Sequence, residues 1–585
     1  MAGHHGHYWR FDLSLGRGEM RRVPQVVTRA YVGGVGLGIW LLHREAGWQH
    51  DPLSDAAPLV IAFGPLAGTP LTTSAKFVIV ARSPLTGMAC DALSSSHFAI
   101  AGKRLGVDAI VLVGRCPRPS TLRARARGRA GNIDAELVDP GVVDPRQTAV
   151  LSVGVAGEQR VRFANVRSDG RHAGRGGLGA VLGAKQLTGL AVEGHHETPL
   201  HDPARVDALA DRLRLRTRGE ATARYREIGT TGNVAAFARI GALPTFDFRG
   251  DALPGVEALS GEQLHETRRG ERRACAQCSI GCEHRFAPRG AAPVRVEYES
   301  LFALGPLCGI TDPDAVLRAA QRCDQLGLDT ISCGATVAFA MECGERGLLR
   351  GVPSFDDAAG LLALIDEIAH RCGTGALLAD GSRALARRLG PEALDFAPQV
   401  KGLELPGYEP RALQTMALGF AVGTRGADHN RSAAYELDFS ERVDRLHGDA
   451  RAARLALETE DRAALLDSLV LCKFVRRALR DPWADAAEML CAVCGGDWHA
   501  DVLRAAARRT VDARKAFNIR AGWTPADDTL PARMLREPLP AGPVAGARLS
   551  AERLQTMVRS YNLARGWSAR GQLGPAKWKE LLLDD

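Results

Sequence analysis

Through roughly the first 200 residues the chain is punctuated by short apolar runs such as "PLVIAFGPL", "KFVIVARSP", "DAIVLVGRC" and "AVLSVGVAG", each bounded by Gly or Pro. Runs of this length, rich in Val and Ile with turn residues at their ends, predict β-strands. At about residue 201 the period changes. In "ARVDALADRLRLRTRGEATARYREI" the residues Val206, Leu209, Leu213 and Leu215 fall near one helical stripe, with Arg and Asp between them. Helical patterns continue in "DAVLRAAQRCDQLGL", "VAFAMECGERGLL" and "GLLALIDEIAHRC", and again in "RAALLDSLVLCKFVRRAL" and "VLRAAARRTVDARKAFNI". A Gly/Pro-rich junction, "LELPGYEPRALQ", separates the two helical stretches. The pattern predicts an α+β protein with a β-rich domain over 1–200 and two mainly helical domains over 201–402 and 403–585. It contains no internal repeat.

Composition narrows the class. A chain of 585 residues that is 45% hydrophobic buries several cores. Its formal charge of +8 is mild over this length and does not point to nucleic acid. In "TLRARARGRA" the arginines at 123, 125, 127 and 129 share one face of a strand, read as a solvated sheet face, with docking of an acidic protein as the alternative. The opening "MAGHHGHYWRFDLSLG" has no apolar signal region, and no run of 18 apolar residues occurs. A cytoplasmic protein without membrane insertion is expected. The 13 cysteines are odd in number and scattered, a pattern of free thiols and metal ligands in a reducing compartment rather than of disulfides.

Chemistry enters with "CAQCSIGC", which sets Cys275, Cys278 and Cys282 at C-x2-C-x3-C spacing. Three thiolates are one short of a closed site. Pairing with "CAVC" (Cys491, Cys494) as a zinc ribbon requires a far longer intervening stretch than such sites use, and leaves Cys282 unexplained. A triplet plus one distant cysteine matches a [4Fe–4S] cluster, in which each iron takes one thiolate. Cys472 in "DSLVLCKF" is a candidate for the fourth, although spacing alone does not single it out.

The segments "YVGGVGLGIWLL", "GPLAGTPLTTSAKFVIVARSPLTG", "GRGGLGAVLGAKQL", "CAQCSIGC", "EYESLFALGPLCGI", "DQLGLDTIS", "DSLVLCKF" and "YNLARGW", in this order, resemble the tungsten-containing aldehyde:ferredoxin oxidoreductase family along nearly the whole chain. The resemblance implies a β-rich base for two pterins that share a tungsten (or molybdenum) atom, closed over by two helical domains. It makes Cys472 the fourth ligand of a [4Fe–4S] cluster. The family's paired D-x-x-G-L-C/D motifs match Asp324, Leu328 and Asp329 in "DQLGLD", and Asp467, Leu471 and Cys472 in "DSLVLC", with Lys473 following. In the second copy Val470 replaces the glycine, a change expected to crowd the approach to the pterin.

Arg171, Gly174 and Arg175 in "GRHAGRGGLG" are implied phosphate contacts. Lys76 stands where the family usually has arginine and so lacks the bidentate fork. Leu93 and Ser95 lie in the segment implied to help hold a magnesium between the pterins, with His172 giving the second carbonyl. Arg425, Gly426, Asp428 and Arg431 flank the implied catalytic His429, and Glu299 in "EYES" is its implied partner. The bridging-iron motif of some family members is replaced by Arg318 and Gln321, which argues against an iron-bridged dimer and leaves a homodimer without a bridging iron, or a complex with an iron–sulfur subunit, as the alternatives. The expected function is oxidation of an aldehyde to its acid, with electrons passed to ferredoxin or a ferredoxin-like subunit. The alternatives are an aryl-CoA reductase-like catalytic subunit of a larger complex, or a silent iron–sulfur scaffold.

Overall fold

The computed structural model describes residues 1–128 and 130–583. Its first sheet contains β1 (His7–Asp12), β2 (Arg17–Arg22), β3 (Leu59–Phe63), β4 (Lys76–Arg82), β5 (Ala89–Ser95) and β6 (Ala109–Val113), in the order β2-β1-β6-β3-β4-β5. A second sheet contains β7 (Ser120–Ala126), β8 (Ile133–Val138), β9 (Ala149–Ser152), β10 (Val166–Ser168), β11 (Arg171–Ala173) and β12 (Leu187–Glu193), in the order β11-β10-β9-β12-β7-β8. Successive strand residues point to opposite faces. Leu59, Ile61 and Phe63 of β3 therefore join Leu122, Leu151 and Leu190 of the second sheet in one core, while Val60 and Ala62 join the core shared with the helices. Burial on both faces explains why β3 and β6 read as unbroken apolar runs.

The arginine face on β7 is a local ion-pair surface. Arg123 and Arg125 share the Glu193 carboxylate at 2.9 and 3.2 Å, and Arg127, past the strand end, pairs with Asp134 at 2.5 Å. Arg129 lies outside the described residues.

After β12 the chain is mainly helical, so the α+β class expected from the sequence holds. The helices that frame the site are α1 (Gly34–Arg44), α2 (Pro203–Arg218), α3 (Tyr298–Leu304), α4 (Pro313–Leu326), α5 (Thr330–Glu345), α6 (Ala450–Leu469) and α7 (Ala500–Arg520). Asp202 caps α2 by accepting from Arg205 N, and Pro203 opens it without needing a donor. The buried stripe of α2 runs Val206, Leu209, Leu213, Thr217, whereas Leu215 is 76% exposed. The expectation for Leu215 fails because 215 lies two residues past 213, off the i+3/i+4 stripe. A third, antiparallel sheet of β13 (Gly270–Arg273), β14 (Glu283–Phe286) and β15 (Val294–Val296) holds the cysteine loop between its first two strands.

The two D-x-x-G-L-like motifs are helix ends. Gly327 ends α4 at φ 81°, ψ 37°, and Val470 ends α6 at φ 58°, ψ 37°. Glycine reaches this left-handed region at no steric cost, but a β-branched residue there is strained by about 1–3 kcal/mol. The Val470 side chain is fully buried against the glycines of the N-terminal region: a Cβ on Gly34 would strike its Cγ2 and lie 2.6 Å from the Asp467 carbonyl oxygen. A Cβ on Gly64 would lie 2.9 Å from the same Cγ2. The consequence of Val470 is thus backbone strain offset by packing on Gly34 and Gly64, where the sequence had suggested crowding of a ligand.

Gly34→Ala is expected to destabilise the protein by about 1–3 kcal/mol through overpacking. Adding Val470→Gly should recover part of that loss, because the two positions touch and their effects couple. Thermal unfolding of the two single variants and the double variant measures the coupling. Strict additivity would show that Val470 does not press on Gly34.

Candidate functional site

Cys275, Cys278 and Cys282 lie on the loop between β13 and β14, and Cys472 lies just beyond α6. All four line one small cavity, together with Thr73, Ala75, Ser95, Ile280 and Phe474. A turn from the N-terminal domain joins the two cysteine segments. Thr73 N donates to the Gln277 carbonyl at 2.9 Å, and Cys472 N donates to the Thr73 carbonyl at 3.2 Å. Thr73 and Gln277 have φ of 67° and 50°, a region that a β-branched threonine adopts rarely. Ser279 N reinforces the junction by donating to the Thr72 hydroxyl at 2.9 Å.

Among the described residues, no three His, Cys, Asp or Glu side chains close on a single ion. The thiols surround a volume, which suits a multi-atom cluster and not a zinc ion with ligands about 2.3 Å away. Burial raises the pKa of Cys278, and burial followed by Glu297 and Cys472 raises that of Cys282. Thiolates here call for a cationic partner. Cys491 and Cys494 lie outside this cavity: the Cys491 thiol donates to the Trp498 carbonyl at 3.4 Å, and Cys494 is buried.

A buried polar cradle joins the three regions of the chain. Arg431 Nε lies 2.9 Å from Asp91 Oδ2 of β5, and its Nη1 lies 2.5 Å from Asp467 Oδ2 of the second motif. Arg514 of α7 reaches Asp91 at 3.1 Å, Lys473 lies 3.5 Å from Asp467, and Arg425 pairs with Asp428. Arg175 donates to the Ala427 and Glu404 carbonyls, both at 2.6 Å, and to Asp329 at 3.3 Å. Asp329 also caps α5 through Ile331 N and Ser332 N. Burial acts to raise the pKa of Asp467 and Asp428; the arginines outweigh it and hold both below the usual carboxylate range.

Glu299 lies in the first turn of α3 and His429 follows Asp428. His429 Nδ1 lies 3.5 Å from Glu299 Oε1, with the side chains 12% and 15% exposed. Glu299 Oε2 accepts from Gly407 N at 3.0 Å. The Asn430 side-chain amide meets His429 Nε2 at 2.8 Å, and the Tyr408 ring stacks on the imidazole at 4.9 Å. With Nε2 accepting from Asn430, the ring proton sits on Nδ1 and faces Glu299. Burial pushes Glu299 up to about 8 and His429 down to about 3, so near neutrality the acid is largely protonated and the imidazole is neutral.

The remaining expected residues divide in two. Lys76 donates to Ser95 Oγ at 2.9 Å beside the cysteine cavity. His172 and Asp324 face each other at 3.7 Å in a second cavity lined also by Arg167, Arg285, Arg295 and Gln321. Arg171 pairs with Glu283. The strands carrying Leu93 and His172 pack together, Leu328 and Leu471 are buried, and Gly426 has φ 101°. Gly174 has open space on its Cβ side. Arg318 donates to the Arg289 carbonyl at 2.9 Å. Sequence reading missed Asp91, Arg514 and Asn430. Asp91 opens "DALSSSHF" and is the one of these with a prior signal, a lone acid in an apolar strand. Ser94 Oγ is buried with no hydrogen-bond partner, and Asp91 Oδ2, Arg514 Nη2, Asp467 Oδ1, Glu299 Oε1 and His429 Nδ1 have only their ion-pair contacts, without hydrogen-bond geometry. Buried polar atoms are normally satisfied. Their concentration here leaves the cradle with polar edges that the protein itself does not fully hydrogen-bond.

The polar cradle and the four-thiol cavity meet at the second motif, where Asp467 belongs to the one and Cys472 to the other. Family models of the aldehyde ferredoxin oxidoreductase N-terminal domain and of its domains 2 and 3 match residues 8–194 and 209–583. The chain belongs to the aldehyde ferredoxin oxidoreductase family and is an oxidoreductase of that family. It is 34% identical to the tungsten-containing aldehyde ferredoxin oxidoreductase of Pyrococcus furiosus, with 99% of each chain covered. The tungsten-containing enzyme of the same description from Thermococcus kodakarensis is 32% identical at the same coverage. The WOR-like subunit of an aliphatic sulfonate oxidoreductase from Pyrococcus furiosus is 25% identical over 96% of this chain and 94% of that protein. In fold the chain is similar to the active-site complex BamBC of benzoyl coenzyme A reductase, with a TM-score of 0.82, 20% identity, and coverage of 100% of this chain and 97% of that one. Among the described residues no helix is long and apolar enough to cross a membrane.

Because Asp428 and Asp467 are held below the usual carboxylate range, their contribution to stability is complete above about pH 4 and is lost as pH falls through the lower folded values. Arg431→Ala removes the nearest cationic partner of two buried carboxylates, Asp91 and Asp467, and is expected to lower stability by up to about 3–5 kcal/mol at pH 7. It should also shrink the stability difference between pH 7 and pH 3. Denaturant unfolding at both pH values checks this, and a variant equal to wild type at both contradicts it.

Proposed function

We propose that the protein is a tungsten bis-pterin oxidoreductase that oxidises an aldehyde to its carboxylic acid and passes the electrons through a [4Fe–4S] cluster to ferredoxin. The observation that carries this reading is the facing pair Glu299 and His429 at the edge of the buried polar cradle. When bound, the metal–pterin group would supply two-electron redox chemistry and the cluster one-electron transfer. Asp329, Asp467, Arg175, Arg425 and Arg431 hold polar edges of the pterins by charge-assisted hydrogen bonds. Cys275, Cys278, Cys282 and Cys472 hold the cluster.

The reaction needs water to add to the carbonyl carbon and lose protons. Overall, RCHO and H2O give RCOO−, three H+ and two electrons, which two ferredoxins accept. Glu299, as its carboxylate, takes a proton from the adding water at Oε1. The Gly407 N–H bond to Oε2 keeps that oxygen aimed at the site. Neutral His429 presents Nδ1–H as a donor at the same place and does not compete for the proton, since burial holds its pKa far below neutrality. Tyr408 on one face of the imidazole and Asn430 at Nε2 fix its plane and tautomer. The aryl-CoA reductase reading shares a fold with this chain but has no observation of its own in the site.

Three outcomes follow from this site. Turnover of wild type should rise with pH through about 8 as Glu299 ionises. Glu299→Gln should lose that limb and roughly 10²-fold or more in turnover, with metal content unchanged. Aldehyde-dependent reduction of a viologen dye across pH reads both, and equal rates in the variant remove Glu299 from the reaction. Cys472→Ala should lower iron from about four per chain and abolish electron delivery. Full iron loading in that variant places the fourth ligand elsewhere.

A further inference from the structure

Cys275, Cys278 and Cys472 are all partly exposed, so the cysteine cavity lies just beneath the surface. The surface around it is built in a particular way. Phe474 lines the cavity, the half-buried Tyr225 stacks on Phe474 with centroids 4.3 Å apart and planes at 25°, and the exposed Arg477 lies over the Tyr225 ring at 5.5 Å. Exposed Arg272 lies over the cysteine loop: a Cβ on Gly281 would be 3.7 Å from its Nε, and the guanidinium donates only to the Arg226 carbonyl, at 3.4 Å. Exposed Arg218 ends α2 directly after Thr217, whose hydroxyl meets Ser279 of the loop at 2.6 Å. None of Arg218, Arg272 and Arg477 has a carboxylate partner among the described residues. The nearby Glu271 is taken up by Arg273 at 3.3 Å, which leaves the exposed Glu220 and Glu227 against this set of arginines. On β7, by contrast, each arginine answers a carboxylate of its own sheet.

We propose that this rim is the docking face of the electron acceptor, a small acidic one-electron iron–sulfur carrier protein. The Arg477–Tyr225–Phe474 stack is its central contact, and Arg218 and Arg272 steer the approach. Arg and Tyr carry much of the energy in protein interfaces, and Phe474 joins that contact directly to the cysteine cavity. Unpaired positive charge facing an acidic partner raises the association rate and makes it fall with salt. Each docking removes one electron from the cluster side and reduces the carrier by one, so one aldehyde needs two dockings. The inference rests on the cavity being the electron exit of the proposed enzyme.

The test uses anaerobically purified holoenzyme with an acidic bacterial-type ferredoxin and, separately, a viologen dye as acceptor. Arg218→Glu/Arg477→Glu should keep iron content and dye-linked aldehyde oxidation within about twofold of wild type. Its kcat/KM for the ferredoxin should fall about 30-fold at low ionic strength and lose most of its salt dependence. Arg477→Lys, which keeps the charge and weakens the stack, should fall only a few-fold. Unchanged ferredoxin kinetics in the double variant, with dye activity intact, overturn the docking face. If wild type reduces neither acceptor, the enzymatic reading fails. The face is then judged by calorimetric binding of the ferredoxin, which must weaken by the same factor in the double variant or the inference falls.

Discussion

Arg431 sits, nearly free of solvent, between two carboxylates from distant parts of the chain: Asp91 on a strand of the first sheet and Asp467 in the last turn of α6. A buried guanidinium is costly unless its partners are close and fixed. Here the strand and the helix each supply one partner, and Arg514 supplies the balancing charge to Asp91. The arrangement requires the N-terminal sheet, the segment after residue 403 and α6 to meet in one register. Arg175 makes the corresponding demand on the other side, joining the second sheet's trailing loop to Asp329 and to the Glu404 and Ala427 carbonyls. The site is the place where these charges force three regions of the chain together.

The same junctions that close the fold also set its chemistry. Thr73 spans the gap between the triplet loop and Cys472, so the thiol cavity exists only when the N-terminal domain is docked. Glu299 and His429 come from separate helical regions and face each other across 3.5 Å, in surroundings that keep the acid near the working pH and the imidazole uncharged. Val470, strained at the end of α6, is held by the same packing against Gly34 and Gly64 that positions Asp467. Strain at such a point persists because its surroundings over-determine it.

Much of this was legible in the sequence, and for identifiable reasons. The doubly buried β3 and β6 announce themselves as apolar runs, and the helices as periodic stripes. The cysteine triplet and Cys472 do meet around one cavity, though only the resemblance singled out Cys472 among the other cysteines. What the sequence hid depends on three-dimensional register. Leu215 looked like a stripe residue and faces solvent. Arg123 and Arg125 read as a solvated sheet face, with docking as the alternative, and the partner they share, Glu193, lies on the neighbouring strand and far along the chain. Asp91, Arg514 and Asn430 carry no local pattern, because their roles are set by what packs opposite them.

The central claim is that aldehyde chemistry at Glu299 and His429 feeds electrons to the four-cysteine cavity. The most direct measurement is the visible absorbance of anaerobically purified, metal-analysed protein on addition of an aldehyde panel with no external acceptor present. The account predicts tungsten and about four irons per chain, with iron–sulfur absorbance bleached by at least one aldehyde and restored by a one-electron oxidant. Protein fully loaded with metal whose absorbance no aldehyde alters, or protein carrying zinc in place of iron, would contradict it.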